Sequence, residues 1–522
     1  MHEFIKRHQK DIRGVLSGFD RMRFRGTLRW LANTKGMFNF LFHVQVLLMH
    51  FKAYALEITD EIRRAAEQIA ADAGRPVLYL PSTIPSKERI ARRIAEEDGV
   101  TQGLIAVLTC VEPCWSYEVR KNRDKKELEL WGRRGKCLHQ YFYFQDPQWG
   151  FMHARLQTWF PFNMHVCING RDWLAQQMDH LGIGYKQRDN CFVDVEDLAQ
   201  AQHLLMNTQV EANWDGLLAD LVRRVHPVHE RRFAGMPIPY YWSLEESEWA
   251  TDVMFRSPAA LSALYPRFIR HGMQTLSSAD VLRFLGRKTP AHGGVNGNFQ
   301  GEVLTDLKSR PEGLRIKHSV NHNSVKMYDK QGSVLRIETT INNTRDYKVR
   351  RCPEGDPQGK RDWRRLRKGV VDIPRRAEVS QASNDRYLQS LAAADTDASL
   401  GDLTDKLCRP TTWNGYRVRA LNPWSPDDVK LLEAVQHGEF LINGFRNRDL
   451  RALLHGQAAN SEEQRRQAAV VTRQIRMLRA HGLIKKVSRT HRYLLTERGT
   501  QIVSTLLIAR QTNATKLTQL AG

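Results

Sequence analysis

Six side chains have the types and positions that phosphodiester chemistry needs: Asp20, Glu112, Asp252, Tyr328, Asp329 and Glu338. Carboxylates converging from neighbouring strands, with a third from another element, can hold a pair of Mg²⁺ or Mn²⁺ ions about 4 Å apart. Such ions activate a water and stabilise the leaving oxygen. Asp20 lies on a first candidate strand, and Glu112 follows the apolar run 105–110. Segment 243–285 has a helical pattern, which sets Glu248 and Asp252 four apart on one helix face and offers them, Asp252 above all, as the third ligand. In 326–338, KMYDKQGSVLRIE, a glycine turn joins two short strands. That hairpin would bring Asp329 and Glu338 side by side as metal ligands, with Tyr328 placed to attack a phosphate and form a tyrosyl link. Plainer readings compete at each place. Asp20 beside Arg21 and Arg23 suits a salt bridge, Glu248 and Asp252 a solvated helix face, and the hairpin a structural cross-strand ion pair.

The elements needed to position these groups read as several domains in 522 residues. Residues 1–115 alternate strands and helices, as a basic α/β domain with a parallel sheet would. Residues 116–180 switch to period two, an antiparallel β meander. Residues 181–285 read as helical, 286–385 as a β-hairpin core with a glycine-rich mobile loop and a basic loop, and 386–425 as a helix and linker. The fold class is therefore multidomain α/β and α+β, ending in a winged helix-turn-helix over 426–522. The aromatics Tyr141, Phe142, Tyr143, Phe144, Trp149, Trp159, Phe160 and Phe162 are first of all core filling for the meander, and only second a stacking platform.

The charge points to a polyanion. The formal net charge is +22. It is concentrated, with nine Lys/Arg against three acids in residues 1–50, twelve against five in 345–376, and sixteen against eight in 426–522. In the second stretch Arg364, Arg365, Arg367 and Lys368 flank Trp363 and suit a clamp on a phosphate backbone. In the third, Arg446 and Arg448 open a short helix. Arg473, Arg476 and Arg479 lie off the apolar face of the next helix, which Gly482 ends. Lys485, Lys486, Arg489 and Arg492 then surround a turn between two short strands. A helix with arginines on its open face can enter a major groove while a basic hairpin holds the flanking phosphates.

The string LRAHGLIKKVSRTHRYLLTERG resembles the winged-helix modules of MarR-like bacterial regulators. Across SGFDRMRFRGTL, CVEPC, RLQTWFPF, EWATDVMFRSPA and NGFRNRDLRALL the chain resembles a bacterial, mobile-element-like protein family with that module at its C-terminus. The spacing of Asp20 and Glu112 resembles the carboxylate layout of RNase H-like and RuvC-like nucleases and transposases. The YDK…RIE segment is similar to part of the rolling-circle replication initiators. These resemblances imply a Mg²⁺- or Mn²⁺-dependent nuclease or strand-transferase acting on DNA or structured RNA. The alternative is a non-catalytic binding protein, such as the protein half of a ribonucleoprotein or a large transcriptional regulator; either is compatible with a homodimer.

The remaining signals are exclusions. The seven cysteines do not form a disulfide framework, and a zinc site from Cys110, Cys114, Cys137 and His139 lacks a second tight pair, so reduced thiols in the cytoplasm are the expectation. No membrane-length apolar run appears. P-loop, G-x-S-x-G, H-E-x-x-H and dinucleotide fingerprints are all missing, which argues against NTPase, serine-hydrolase, zinc-protease and dehydrogenase chemistry.

Overall fold

The computed structural model describes residues 1–81, 86–287, 301–311, 313–353, 355–356, 358–392, 401, 404–437, 440, 444–487 and 490–511. The chain is mixed α/β and divides into two compact units. One, the sheet unit, comprises Arg13–Phe255 and Ser333–Gln381; the other comprises Met1–Ile12, Arg256–Gly332 and Ala382–Gly522. Among the described residues no helix is long and apolar enough to cross a membrane.

The strands of the sheet unit up to residue 255 are β1 (Ile12–Leu28), β2 (Val77–Tyr79), β3 (Gly103–Asn122), β4 (Glu127–Asp146), β5 (Gly150–Gln157), β6 (Met164–Asn169), β7 (Tyr185–Arg188), β8 (Cys191–Val195) and β9 (Tyr240–Phe255). Eight strands stand side by side in the order Val334–Ile341, β9, β1, β6, β5, β4, β3, β2. The meander expected after residue 116 is present as β3 to β6, each antiparallel to the next. The parallel sheet expected before it is confined to β2 against β3, while β1 pairs antiparallel with β6. The boundary expected at 115 falls inside β3. The composition changes there because β3 is buried continuously from Leu104 to Cys110 and only in patches beyond it.

Alternation along these strands builds two unlike faces. Met22 and Phe24 of β1, Phe142 and Phe144 of β4, Met152 and Leu156 of β5, and Val166 and Ile168 of β6 share one core. Helices Thr34–His43, Phe51–Asp72, Gly170–Leu181 and Trp214–Val225 contribute Phe40, Ile58, Ile62, Trp173 and Leu218 to it. Most of the aromatic run is spent here, as core. The other face carries Arg21, Arg23, Arg25, His165, Arg155, His139 and Glu112. Part of it is closed by helix Lys87–Glu97, whose Ala91 and Ile94 pack with Leu108, Tyr141, Tyr143 and Phe151. Ser86 caps that helix by accepting from the Arg89 amide, a contact of about 1 kcal/mol; the alternative cap, Thr83, lies outside the described residues.

The glycines of β1 serve packing rather than a bend. A Cβ at Gly14 or Gly18 would strike Leu198 or Leu205. β6 covers β1 only from Arg21 to Gly26. Upstream, side-chain amides satisfy the backbone: Ser17 exchanges two hydrogen bonds with Gln202, and the Phe19 amide donates to Gln209. Both glutamines lie in the turns Leu198–His203 and Leu204–Val210.

One expected helix is a strand. Tyr240–Phe255 is β9, paired in antiparallel register with Val334–Ile341, and the helix begins only at Pro258, behind the Ser257 cap. Acids four apart share a face on a strand as on a helix, and β9 is an inner strand whose charged groups are matched by arginines, so its sequence does not alternate apolar with polar.

In the other unit, strands Val303–Arg310, Gly313–Val320 and Asn323–Lys330 form an antiparallel set. The glycine-rich loop expected to be mobile lies mostly outside the described residues. The C-terminal region packs helices Pro426–Val435, Asn447–His455, Ser461–Ala480 and Glu497–Gln511 with a hairpin of Ile484–Lys486 and Tyr493–Leu495. Leu450, Val471, Ile475, Leu478, Ile484 and Ile502 form its core, and Gly482 ends the long helix with φ +71° as expected.

Candidate functional sites: a buried carboxylate cluster and two cationic surfaces

The register Arg336↔Asp252 and Glu338↔Ala250 aligns β9 with Val334–Ile341, and strand alternation puts Glu248 and Asp252 on one face of β9. Asp20 joins them from β1. Ligand oxygens of Asp20, Glu248 and Glu338 all lie within 4.8 Å of one another, and all three residues are buried. Among the described residues this is the one such grouping of three or more His, Cys, Asp or Glu side chains.

Arginines run through the cluster. Arg336, 1% exposed, donates from Nε and Nη2 to Asp252 at 2.6 and 2.8 Å, from Nη1 to Asp20 at 2.9 Å, and from Nη2 to the Asn190 carbonyl at 2.6 Å. Arg171, fully buried, reaches Asp252 at 2.9 Å and Asp20 at 3.7 Å. Helix Gly170–Leu181 delivers it. That helix starts hard against β1, where a Cβ at Gly170 would collide with the Phe19 carbonyl oxygen. Arg21 binds Glu248 at 2.6 Å, and the Asn190 amide spans both oxygens of Asp20 at 2.9 and 3.1 Å. Burial alone would make Arg336 easier to deprotonate, but Asp20 and Asp252 hold its pKa well above the ordinary arginine value.

Three carboxylate oxygens are the donor type a hard divalent ion takes. Here guanidinium groups already occupy one oxygen of each of two of them, Oδ1 of Asp20 and Oε2 of Glu248. A metal that used those same oxygens would have to displace Arg336 from Asp20 and Arg21 from Glu248, each held at 2.9 Å or less. Without that displacement the arrangement is a brace that ties β1, β9, the Val334–Ile341 strand and the Gly170–Leu181 helix together.

The other expected catalytic groups do not join it. Glu112 sits on β3, four strands from β1, about 19 Å away at the usual strand spacing. Burial would raise its pKa, but hydrogen bonds from Cys110, Lys87 and Tyr141 and the charge of Arg155 bring it down to about 2. Tyr328 and Asp329 belong to the other unit. Tyr328 is buried within its sheet opposite Arg315, unsuited to an exposed nucleophile, and burial raises the pKa of Asp329. The thiols of Cys114 and Cys137 stand 3.2 Å apart on β3 and β4.

The cations sort into paired and unpaired sets. Helix Ser461–Ala480 turns Val471, Ile475 and Leu478 into the core and leaves Arg465, Arg473 and Arg476 along an exposed stripe, with the small Ala469 and Thr472 between them. Among the described residues no carboxylate lies within ion-pair distance of these three. Lys485 and Lys486 are exposed on the following strand; Arg489 lies outside the described residues. Two expected contacts are structural instead. Arg492, just before the strand Tyr493–Leu495, is 8% exposed: its side chain turns inward and donates to the Gly444 carbonyl. Arg479 lies over the rings of Trp413 and Tyr493. Arg446 is half-buried at the start of helix Asn447–His455, while Arg448 is exposed with Asp449 at 3.5 Å.

In the sheet unit, Lys348–Arg351 and Asp362–Arg365 form a two-stranded ribbon. Its inner side, Val349 with Tyr347 and Leu366, packs into a small core. Its outer side sets Lys348 opposite Arg365 and Arg350 opposite Trp363, which is 56% exposed. Like charges directly opposite are unfavourable in a ribbon, and no carboxylate among the described residues pairs with these three cations. Of the expected clamp, Arg365 and Lys368 are exposed and Arg364 is half-buried. Arg367 is locked to Asp372 at 3.0 Å, since its side chain faces the start of helix Ile373–Ala392.

Sequence reasoning missed Arg171 and Arg336, which no acid-centred search would select. It also missed Arg465, whose spacing of eight from Arg473 was a readable signal. No protein-family profile, characterised protein or solved structure matches the chain.

Proposed function

We propose that this chain is a nucleic-acid-binding protein. In this reading its C-terminal helices and hairpin act as a winged helix-turn-helix, with Ser461–Ala480 as the helix that enters a groove and Lys485 and Lys486 on the flanking phosphates. The outer face of the 348–365 ribbon is a second contact, with Trp363 available to stack on an unpaired base. One observation carries the proposal: Arg465, Arg473 and Arg476 form an aligned, exposed stripe without acidic partners among the described residues, whereas the buried Arg171 and Arg336 are paired with carboxylates. Charges kept apart from acids on one surface release counterions when a phosphate polymer docks. Photo-crosslinking of bound duplex DNA or hairpin RNA, read by mass spectrometry, tests it. Crosslinks should fall in peptides covering 461–487 and 348–365; crosslinks confined elsewhere would refute it.

A second reading is metal-assisted phosphodiester cleavage or strand transfer at Asp20, Glu248 and Glu338, favoured by the convergence of their oxygens. It requires Mg²⁺ or Mn²⁺ to bind beside or in place of the guanidinium groups on Asp20 Oδ1 and Glu248 Oε2. Nicking of plasmid that depends on the metal and is lost in Glu338→Gln would support it over a binding protein without catalysis.

A further inference from the structure

The polar face of the sheet unit holds a cavity of about 380 Å³ that none of the expected chemistry uses. Arg25 of β1, His165 of β6, Arg155 and Gln157 of β5, Arg134 and His139 of β4, and Cys114 and Trp115 of β3 line it, with Asn163 and Pro113. No carboxylate is among the lining residues. Glu112 and Glu245 stand behind it. Glu112 binds Arg155 at 2.8 Å and Lys87 at 2.9 Å, and Glu245 reaches Arg25 and His165, each at 3.5 Å. These acids hold the guanidinium groups in place without using up their donors. The Nε groups of Arg25 and Arg155 and the Oδ1 of Asn163 are buried with no hydrogen-bond partner among the described residues. A buried polar atom is rarely left unmet in a folded protein, and a bound ion or water is one way such an atom is completed.

The floor is built to stay put. Gln157, buried, donates to the Trp115, Trp159 and Phe160 carbonyls. The Trp115 indole lies across Gly132, where any Cβ would strike it, and is 45% exposed toward solvent. Burial and the charge of Arg155 lower His139 to about 4, so it is neutral at pH 7. Its Nδ1 faces the Cys137 carbonyl at 3.2 Å and must carry the proton there, which leaves Nε2 as an acceptor. The cavity therefore combines guanidinium donors for an oxyanion, an acceptor for a hydroxyl or amino group, and an aromatic plane. Its volume is that of a small-molecule site and exceeds what one oxyanion fills.

We propose that this cavity binds a phosphate monoester carrying a nucleobase, with the phosphate on Arg25 and Arg155 and the base on Trp115. Two sources have this chemistry, a free nucleoside monophosphate and the 5′-phosphorylated end of a strand. The site is independent of the Ser461–Ala480 stripe, so the two proposals fail separately.

Titration calorimetry and tryptophan quenching on the full chain test it, with AMP, UMP, adenosine and inorganic phosphate as probes, and a short oligonucleotide with or without a 5′-phosphate. Mononucleotides should bind and adenosine should not. Arg155→Gln should weaken AMP about tenfold or more, the range for a lost charged hydrogen bond. Trp115→Ala, at an exposed residue, should weaken AMP about fivefold or more while leaving inorganic phosphate unchanged. Should Arg155→Gln fail to fold, Arg25→Gln carries the same expectation. Preference for the 5′-phosphorylated oligonucleotide over AMP would identify a strand end as the ligand, and the reverse a free nucleotide. Absence of mononucleotide binding, affinity no better than that of inorganic phosphate, or binding unchanged in the Arg155 and Trp115 variants would overturn the proposal.

Discussion

Replacing Arg336 by methionine separates a structural brace from a metal centre. The substitution keeps most of the volume but removes three hydrogen bonds to carboxylates and one to a carbonyl. Asp20 and Asp252 are then left buried with less compensation, and breaking a buried pair in this way costs about 3–5 kcal/mol. Arg171 still reaches both acids, so the lower end of that range is expected. At 1.4 kcal/mol per tenfold change, about 3 kcal/mol raises the local opening equilibrium roughly a hundredfold. Hydrogen exchange read by mass spectrometry is the suitable assay, because two compact units make a single unfolding free energy poorly defined. Peptides covering β9 and Val334–Ile341 should lose about two orders of magnitude of protection while helix Ser461–Ala480 is unaffected. Adding Asp252→Asn should restore part of the loss by removing an orphaned charge. Unchanged exchange in Arg336→Met would refute the brace, and strong protection of the wild-type peptides by millimolar Mn²⁺ would favour the metal reading.

Other consequences are as direct. Glu112 titrates near 2 in the folded chain against an ordinary value of 4.5, so the stability it adds is complete above about pH 4.5 and disappears as pH falls through about 2. The melting-temperature gap between wild type and Glu112→Gln should therefore close over that window; a gap constant from pH 7 to 2 would contradict it. The hydrogen bond from Cys137 lowers the pKa of Cys114, whereas Cys137 itself is raised by Cys114 and by burial. Alkylation near pH 8 with peptide mapping should label Cys114 ahead of Cys137, and equal labelling would count against the pairing. Trp363→Ala should weaken single-stranded oligonucleotides by about 1–3 kcal/mol per stacked base and leave duplex affinity nearly unchanged. Equal losses on both substrates would assign Trp363 to the fold instead.

The two halves of the sheet unit differ in how far they could be read from the chain alone. The meander was legible because Leu156, Val166 and Ile168 alternate with Arg155, Gln157, His165 and Asn169, while the aromatic run 141–144 is apolar on both faces and reads as a buried strand. β9 was not. Glu245, Glu246, Glu248 and Asp252 mimic the solvated side of a helix, yet each meets an arginine or histidine from an adjoining element, a pairing visible only in three dimensions. Asp20, Glu338 and Asp252 were identifiable as unusual acids. That Arg336, two residues before Glu338, would neutralise two of them was hidden by a separation of 316 residues from Asp20. In the C-terminal region helices Asn447–His455 and Ser461–Ala480 and the hairpin followed from local spacing and Gly482, whereas helices Pro426–Val435 and Glu497–Gln511 did not. The fate of individual cations did not, since whether Arg492 turns inward while Lys485 stays exposed depends on packing around Gly444.

Salt dependence of binding is the closest probe of a surface made for phosphates. For the wild-type chain and the Arg465→Gln, Arg473→Gln, Arg476→Gln triple variant, the logarithm of the duplex association constant is plotted against the logarithm of salt concentration. Each arginine that neutralises one phosphate adds about 0.9 to the steepness, so the triple variant should show a slope shallower by roughly 2.7. Equal slopes and affinities for the two proteins, or a wild type that ignores duplex, hairpin and single strand at low ionic strength, would contradict nucleic-acid binding by this surface.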